Sequence, residues 1–197
     1  MSETRERILD AAASVVRERG LARATTKEIA KAAGLSEAAL YRHFHDKVEL
    51  FVHVLDERLP GLISAMKDLP GRVGKDPVAG TLEEIGRVAL TFYAEMVPMT
   101  GSLFSEPEIL ARHQESLRAQ GLGPQLALLT LATYLRAEQK LGRVPEALDP
   151  DAGAALLLGA CFQRAFIAQF IGSPVVEKDD RRFVKKLVST LLSAGRS

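Results

Sequence analysis

The run from Thr25 to Phe51 constrains the fold most, because its 27 residues contain three helix starts and two tight connections. Thr25 stands three residues before Glu28, which is the spacing of a capping box. In that motif the threonine hydroxyl accepts a hydrogen bond from a free backbone amide of the first turn. The glutamate carboxylate in turn accepts a hydrogen bond from the backbone amide of the threonine. Gly34 then stands where a helix ends easily, because glycine adopts a positive φ without strain. The pattern predicts a short helix over about residues 26–33, closed by a tight turn.

Two further helix starts follow in the same run. Ser36 is a favourable N-cap, and Asp46 with Glu49 repeats the capping-box spacing. A helix, a turn of about three or four residues and a second helix form a helix-turn-helix, whose second helix lies in the major groove of DNA. The run therefore predicts a DNA-reading unit followed by another helix.

The two faces of the second helix support this interpretation. At about 100° per residue, Leu40 and Phe44 point inward and can pack on the apolar residues Ile29, Ala30 and Ala33. Ala38 and Arg42 point outward, nearly opposite Leu40. A small outward side chain lets the helix approach base edges closely, and the forked donors of Arg42 match guanine.

The segment GLSEAALYRHFHDKVELF resembles the N-terminal signature of the TetR family of bacterial transcriptional repressors, as does the whole stretch from Arg5 to about Leu55. The resemblance implies that seven residues touch phosphates or sugars: Thr25, Thr26, Lys27, Ser36, Tyr41, His43 and Lys47. It implies that four face the bases: Glu37, Ala38, Ala39 and Arg42. Many relatives carry Gly and Thr where this chain has Ala38 and Ala39, so base specificity does not carry over.

Composition is that of a globular protein, with 197 residues of which 47% are hydrophobic. Cys161 is the single cysteine, so no intrachain disulfide or cysteine metal site is available. The start MSETRERILD is charged where a secretory signal is apolar, and no run approaches the roughly 18 to 20 uninterrupted apolar residues of a membrane span. We expect a cytoplasmic protein without a membrane partner.

Net charge does not by itself indicate DNA binding. It is +1 for the whole chain, and residues 1–50 contain nine Lys and Arg against eight Asp and Glu. Counterion release, which drives nonspecific DNA binding, needs many phosphate contacts. The prediction of DNA binding therefore depends on motif geometry, and pairing of two protomers would double the contacts.

The remaining pattern predicts an all-α fold with an N-terminal three-helix helix-turn-helix domain and a larger C-terminal helical domain for ligand binding and dimerisation. An amphipathic helix over Arg5–Arg19 precedes the motif. The predicted segments are 1–46 for the DNA-binding domain, 47–69 for a connecting helix that Pro60 kinks or breaks, 70–80 for a linker, and 81–197 for the effector-binding and dimerisation domain. Its helices are predicted at about 81–97, 105–119, 123–141, 150–172 and 178–194.

The segment Asp151–Ile171 is apolar nearly all round, so we expect it to be buried on two sides. In the family that the chain resembles, the last two long helices form a four-helix dimer interface. The predicted interface residues are Ala155, Gly159, Phe183, Leu187 and Leu191. The alternative is that both helices are buried within one subunit. A homodimer would place two reading units about one DNA turn apart, or a multiple of it, on a palindrome.

The family resemblance implies a cavity for a small-molecule effector, and aromatic and methionine side chains between the linker and the last helices are of the kind that lines a mostly apolar pocket. The predicted ligand-binding residues are Phe92, Met96, Met99, Phe104, Tyr134, Phe162, Gln163 and Phe166. Aromatic and methionine residues at helical spacing are also typical of a hydrophobic core that binds no ligand. Gln163 and Arg164 are polar residues in the most apolar helix, where each can orient a ligand or satisfy a buried partner.

An enzyme would need a constellation of catalytic residues, and the sequence contains none. His43 and His45 lack an acidic or cysteine partner at metal spacing, so no metal and no cofactor is expected. Glycine-rich phosphate loops and Gly-x-Ser-x-Gly elbows are absent. The prediction is a sequence-specific repressor that binds a palindromic operator in double-stranded DNA as a dimer and is released by an apolar effector. The alternative is an architectural or partner-recruiting DNA-binding protein without an effector.

Overall fold

The computed structural model describes residues 3–58, 62–101, 103–172 and 179–193. Within these ranges the chain forms helices, turns and no strand, as the sequence predicts. The helices are α1 Glu3–Arg19, α2 Thr26–Ala32, α3 Glu37–Leu40, α4 Lys47–Arg58, α5 Leu62–Ala65, α6 Leu69–Arg72, α7 Val78–Thr100, α8 Pro107–Gln120, α9 Gln125–Lys140, α10 Pro150–Ile171 and α11 Asp180–Ser193, with a 3-10 turn at Leu103–Ser105. The predicted kink at Pro60 lies outside the described residues.

The chain divides into two compact units, and the division falls within α7. The first unit comprises residues 1–60 and 95–123, and the second comprises 61–94 and 124–197. The domain boundaries drawn from the sequence at 46, 69 and 80 remain a prediction. The first unit thus takes a segment, 95–123, from the stretch that the sequence assigns to the effector domain.

The first unit has a continuous apolar core. It is built from α1, α2, α3 and α4 together with the end of α7, the 3-10 turn and α8. Its buried members include Ile8, Leu9, Val16, Ile29, Leu40, Phe44, Leu50, Phe51, Met99, Leu103 and Ile109. Met99 is fully buried there. It packs in the core of the first unit, and its role in ligand binding stays a prediction.

The second unit is an apolar core of α7, α9, α10 and α11. Leu131 and Leu135 of α9 meet Leu157 and Leu158 of α10, and Val184, Val188 and Leu191 of α11 close the core. Gly86 allows α7 and α11 to approach closely, because an added Cβ would come 2.6 Å from the Val184 Cγ1. Leu191 is 6% exposed and belongs to this core, and its place in the dimer interface stays a prediction.

Residues 70–80 are partly helical, which corrects the prediction of an irregular linker. Pro70 lies in the first turn of α6, where the missing amide costs no hydrogen bond. Gly74 then adopts φ +73° and reverses the chain before α7 begins at Val78. Its amide donates to the buried carboxylate of Glu138 on α9 at 3.1 Å. Local proline and glycine content thus underestimates helix in this segment.

One face of α10 is exposed, although the sequence predicts burial on two sides. By length and composition this helix is apolar enough to cross a membrane, and 28% of its apolar window is buried. Leu157, Leu158 and Cys161 face the core, whereas Leu156, Phe166 and Phe170 are exposed. Within the described residues, one chain covers only one side of the helix.

Candidate nucleic-acid interface

The motif at residues 25–46 has the local contacts that its capping residues predict. The Thr25 hydroxyl accepts from the Glu28 amide at 3.3 Å, and the Ser36 hydroxyl accepts from the Ala39 amide at 3.2 Å. Gly34, at φ +69°, makes the turn between the two helices. A helix-turn-helix is therefore present, with α3 as its second helix.

The inner face of α3 is closed by apolar packing. Leu40 and Phe44 are at most 1% exposed and share a core cluster with Ile29, Ala30 and Ala33. The predicted packing is therefore confirmed. Regular α-helix covers only four residues of α3, and the winding continues because the His43 and Phe44 amides both donate to the Leu40 carbonyl.

The outer surface of the motif contains most of the predicted DNA-contacting residues together. Eight are exposed: Thr25, Lys27, Ser36, Glu37, Ala38, Tyr41, Arg42 and His43. Lys47 is half-buried at the start of α4, with its Nζ 5.2 Å from the centre of the Phe51 ring. The exposed side chains of the motif thus include donors, acceptors and one methyl group.

Two of the predicted DNA-contacting residues are buried instead. Ala39 is 9% exposed, because its methyl group does not extend beyond the covered flank of α3 next to Leu40. Thr26 is 8% exposed. Its hydroxyl donates to the Glu37 carboxylate and accepts from the Tyr41 hydroxyl at 3.3 Å. Burial argues against base contact by Ala39 and phosphate contact by Thr26.

Helix α8 holds α4 through polar contacts that sequence reasoning missed. Arg112 donates to Asp46, the N-cap of α4, at 3.1 Å, and His113 Nδ1 lies 2.9 Å from the Asp56 Oδ1. Ser116 donates to the other Asp56 oxygen at 2.6 Å. Burial opposes ionisation of Asp56, but the hydrogen bonds from His113 and Ser116 outweigh it, so the pKa of Asp56 is lowered. Local sequence patterns do not predict these pairs, because about 60 residues separate the two partners along the chain.

Arg5 connects α1 to α4 in the same unit. Its guanidinium donates to both oxygens of Glu57, at 2.9 and 2.7 Å, and lies 5.4 Å from the centre of the Phe44 ring. The hydrogen bond from Arg5 lowers the pKa of Glu57 despite partial burial. These contacts fix the helix that follows the reading motif.

A cavity of about 480 Å³ opens between α4 and α8. None of the predicted ligand-binding residues lines this cavity. Its lining is mostly polar and charged and consists of Glu49, Val52, His53, Asp56, Glu57, Arg112, Glu115, Ser116 and Gln120. Among the described residues, no group of three His, Cys, Asp or Glu side chains has the geometry of a metal site.

The predicted ligand-binding residues do not form one cluster. Met96, Met99 and Phe104 belong to the first unit. Phe104 is the middle residue of the 3-10 turn, and 81% of it is exposed. Phe92, Tyr134, Phe162, Gln163 and Phe166 belong to the second unit, where Tyr134 is buried and the last three are exposed. The sequence could not separate these groups, because aromatic composition does not reveal which face of a helix is covered.

Exposed rings form a stripe along α10. Phe162 stacks on Phe166 with centroids 6.2 Å apart, and Phe166 stacks on Phe170 at 6.0 Å. Ala155 and Gly159 lie on the same exposed face, where helical spacing places them in line with the rings. Two of the residues predicted to bind ligand therefore lie beside two predicted to form a dimer.

Phe183 and Leu187, which are also predicted interface residues, and Arg164 lie where α10 packs against α11. Phe183 and Leu187 are half-buried against the core of the second unit. Arg164 forms an ion pair with Asp180 at 2.7 Å and lies 4.7 Å from the centre of the Phe183 ring. Arg164 thus satisfies partners on the neighbouring helix.

Comparison with known proteins connects this geometry to one group. Residues 8–54 match the sequence model of the bacterial regulatory proteins of the tetR family. The chain is 28% identical over 181 residues to the uncharacterized HTH-type transcriptional regulator YvkB of Bacillus subtilis, covering 90% of this chain and 92% of that protein. It is 29% identical over 163 residues to the nucleoid occlusion factor SlmA of Marinobacter nauticus, covering 83% and 79%.

A third relative matches a shorter stretch of the chain. The HTH-type transcriptional repressor BepR of Brucella suis is 46% identical over 54 residues, which cover 27% of this chain and 26% of that protein. This higher identity is thus confined to about a quarter of the chain.

Solved structures match the whole fold at low identity. The fatty acid degradation regulator FadR from Bacillus halodurans superposes with a TM-score of 0.70 at 19% identity, covering 100% of this chain and 98% of that one. FadR from Bacillus subtilis in complex with stearoyl-CoA gives a TM-score of 0.62 at 16% identity, covering 96% and 98%. At these identities the likeness concerns the fold alone.

Proposed function

Because this chain belongs to the TetR family of bacterial regulatory proteins, a family of DNA-binding transcriptional regulators, we propose that it is a repressor that binds a palindromic operator as a homodimer. A small, largely apolar effector releases it from the DNA. Its relatives are transcriptional regulators, which are not enzymes. The proposed location is the cytoplasm, where bacterial DNA lies.

One observation carries the DNA-binding part of this proposal. Helix α3 has a closed apolar inner face, with Leu40 and Phe44 at most 1% exposed, and an exposed outer face with Ala38 and Arg42. A buried inner face fixes the orientation of the helix, and the exposed face is then free to enter the major groove.

The proposed roles follow the chemistry and exposure of each side chain. Phosphate or sugar contacts are proposed for Thr25, Lys27, Ser36, His43 and Lys47, and base contacts for Glu37, Ala38 and Arg42. Arg42 presents forked donors that match the two acceptors of guanine. Phosphate contacts position the protein, and base contacts specify the sequence.

The proposed dimer interface uses the exposed stripe of α10. Ala155, Gly159, Phe162, Phe166 and Phe170 lie on this face, which the same chain leaves uncovered. Interfaces favour aromatic anchors that become desolvated, with small residues that permit close approach. A second copy would bury the stripe, and two copies would supply the two reading helices of a palindrome.

Effector control is proposed as a shift between two conformations. The effector must bind more tightly to a conformation in which the two reading helices are wrongly spaced, because equal affinity for both conformations releases nothing. Phe92 and Tyr134, which pack in the apolar core of the second unit, are the predicted ligand-binding residues that remain with that core. The stearoyl-CoA held by one structural neighbour is an example of a ligand with a long apolar chain.

A second candidate function is an architectural or partner-recruiting DNA-binding protein without an effector. The observation that favours it is the match to a nucleoid occlusion factor at 29% identity over 79% of that protein. This candidate predicts binding sites that are spread along the chromosome without regard to promoters, and DNA complexes that no small molecule dissociates.

The test is selection of fragments of the source genome by the purified full chain at about physiological salt, followed by sequencing. The proposal predicts enrichment of an inverted repeat next to promoters, and repression of a reporter placed behind that repeat. Enriched repeats far from promoters that leave the reporter unchanged would favour the second candidate. Absence of any enriched sequence would contradict both.

A further inference from the structure

Three side chains join α2 to α3 in a continuous chain of hydrogen bonds. The Tyr41 hydroxyl donates to the Thr26 Oγ1 at 3.3 Å, and the Thr26 hydroxyl donates to the Glu37 Oε1 at 2.5 Å. A hydroxyl has one proton, so Thr26 has none left for a phosphate oxygen. Because Thr26 is also 8% exposed, its hydroxyl faces Glu37 and Tyr41 rather than solvent.

The Glu37 carboxylate lies at the N-terminus of α3, which is the end of the second helix that contacts base edges in a helix-turn-helix. Glu37 is the first residue of α3 and is exposed, and the N-terminal residues of the second helix of such a motif contact the bases. Its Oε2 has no hydrogen-bond partner among the described residues. The neighbouring Ala38 is exposed and carries only a methyl group, which leaves room for close approach.

The chemistry of a carboxylate limits what Glu37 can recognise. An ionised carboxylate only accepts hydrogen bonds, so it repels phosphate and needs a donor. In the major groove, cytosine offers its N4 amino group, which is the usual partner of Glu and Asp. Adenine places the N7 acceptor beside its N6 donor, and this acceptor would face the second carboxylate oxygen.

We propose that Glu37 determines specificity by accepting a hydrogen bond from a cytosine N4 amino group in each half of the DNA site, and that Thr26 and Tyr41 are positioning residues that hold its carboxylate. The inference rests on the proposed function, in which α3 reads the major groove. It moves Thr26 and Tyr41 from contact with DNA to support of a residue that touches DNA.

Selection from a library of random double-stranded DNA tests the role of Glu37. The wild-type chain, Glu37→Ala, Glu37→Gln and Arg42→Ala are each incubated with the library, and bound sequences are counted. The wild type is expected to prefer cytosine at one position of each half-site by about fivefold or more. Glu37→Ala should remove that preference alone. Glu37→Gln should shift it towards adenine, because an amide offers both a donor and an acceptor.

Arg42→Ala is the matched control, because it should relax a different position and leave the cytosine preference intact. Base preferences of Glu37→Ala that equal those of the wild type would overturn the inference, and so would a loss spread evenly over all positions. If the wild type enriches no sequence at all, the proposed function itself fails.

The positioning role is tested by substitutions that keep side-chain shape. Thr26→Val removes the hydroxyl and retains the branched side chain, and Tyr41→Phe retains the ring. Both are expected to weaken the cytosine preference severalfold while the preference at the Arg42 position is unchanged, and Thr26→Ser is expected to restore it. An unchanged cytosine preference in Thr26→Val, or equal weakening at all positions, would overturn the positioning role.

Discussion

Single side chains on the reading surface differ in what they can recognise, because their donors and acceptors are fixed by chemistry. Arg42 carries five donors in a rigid fork, and Lys47 carries three on a flexible stem. Arg42 is exposed in the turn that follows α3, whereas the Lys47 ammonium lies over Phe51 at the start of α4. The first arrangement suits a base edge and the second suits a phosphate.

Replacement of Arg42 and Lys47 should therefore have different consequences. Arg42→Ala is expected to cost about 1 to 3 kcal/mol of binding and to relax preference at one base pair, with little change for nonspecific DNA. Lys47→Ala should lower the affinity for all DNA sequences alike. It should also reduce the slope of log affinity against log salt concentration by about one. Fluorescence anisotropy on single-base variants of a selected site, over a salt series, measures both. Identical behaviour of the two variants would contradict direct reading by Arg42.

A single glycine sets the distance between two helices of the second unit. An added Cβ at Gly86 would come 2.6 Å from Val184, so Gly86→Ala should destabilise the fold by about 1 to 3 kcal/mol through overpacking. Gly80→Ala in the same helix is the matched control, because its nearest atom would be 3.9 Å away. Helix propensity predicts that this control gains about 0.5 to 1 kcal/mol. Urea denaturation measures both, and equal stability of the two variants would exclude the close approach.

At the scale of elements, α4 is held to α8 by charged groups rather than by apolar packing alone. Arg112 contacts the N-cap of α4, and His113 and Ser116 contact Asp56 near the other end. These partly buried contacts tie α4 to α8 in addition to the apolar core that Leu50, Phe51 and Val54 of α4 share with the reading motif.

Substitution of Asp56 tests this attachment and its dependence on pH. Asp56→Asn should cost about 1 to 3 kcal/mol at neutral pH, because it removes acceptors from partly buried donors. The pKa of Asp56 is lowered in the folded chain. The stabilisation by its charge is therefore complete above the unfolded pKa of about 3.9 and is lost as pH falls through the lowered folded value.

The stability difference between wild type and Asp56→Asn should accordingly shrink below about pH 4. Asp151→Asn is the matched control, because Asp151 forms an exposed ion pair with Arg136. Such a pair contributes about 0 to 1 kcal/mol. A pH-independent difference for Asp56→Asn would contradict stabilisation by the ionised form.

The exposed stripe of α10 makes a prediction about assembly. Phe166→Ser should convert a dimer to a monomer in sedimentation velocity, because it removes a central ring of the proposed interface while the core face of α10 is untouched. Leu129→Ser is the matched control, since Leu129 is 56% exposed on α9, away from the stripe. A Phe166→Ser variant that remains dimeric would exclude this face as the interface.

Prediction from sequence succeeded where neighbours along the chain decide the structure. The N-caps at Thr25 and Ser36 and the inward faces of Leu40 and Phe44 depend on residues a few positions away. Prediction was incomplete where distant segments decide. The contact of Thr26 with Glu37, the burial of Met99 in the first unit and the exposure of Phe166 all depend on tertiary packing, which periodicity does not report.

At the scale of the whole molecule, a nearly neutral chain has to bind DNA by geometry rather than by bulk charge. Net charge is +1, so long-range attraction between the whole chain and the phosphates is weak. Two units that bind one duplex together double the contacts and make spacing part of the recognition. Sequence specificity and dimerisation are therefore two aspects of one proposal.

The most direct test counts protomers on DNA. The full chain is titrated onto a duplex that carries a selected inverted repeat and onto a duplex that carries one half of it, and the complexes are weighed by native mass spectrometry. The account predicts two protomers on the intact repeat and a loss of at least tenfold in affinity on the half-site. A single protomer that binds both duplexes equally tightly would contradict it.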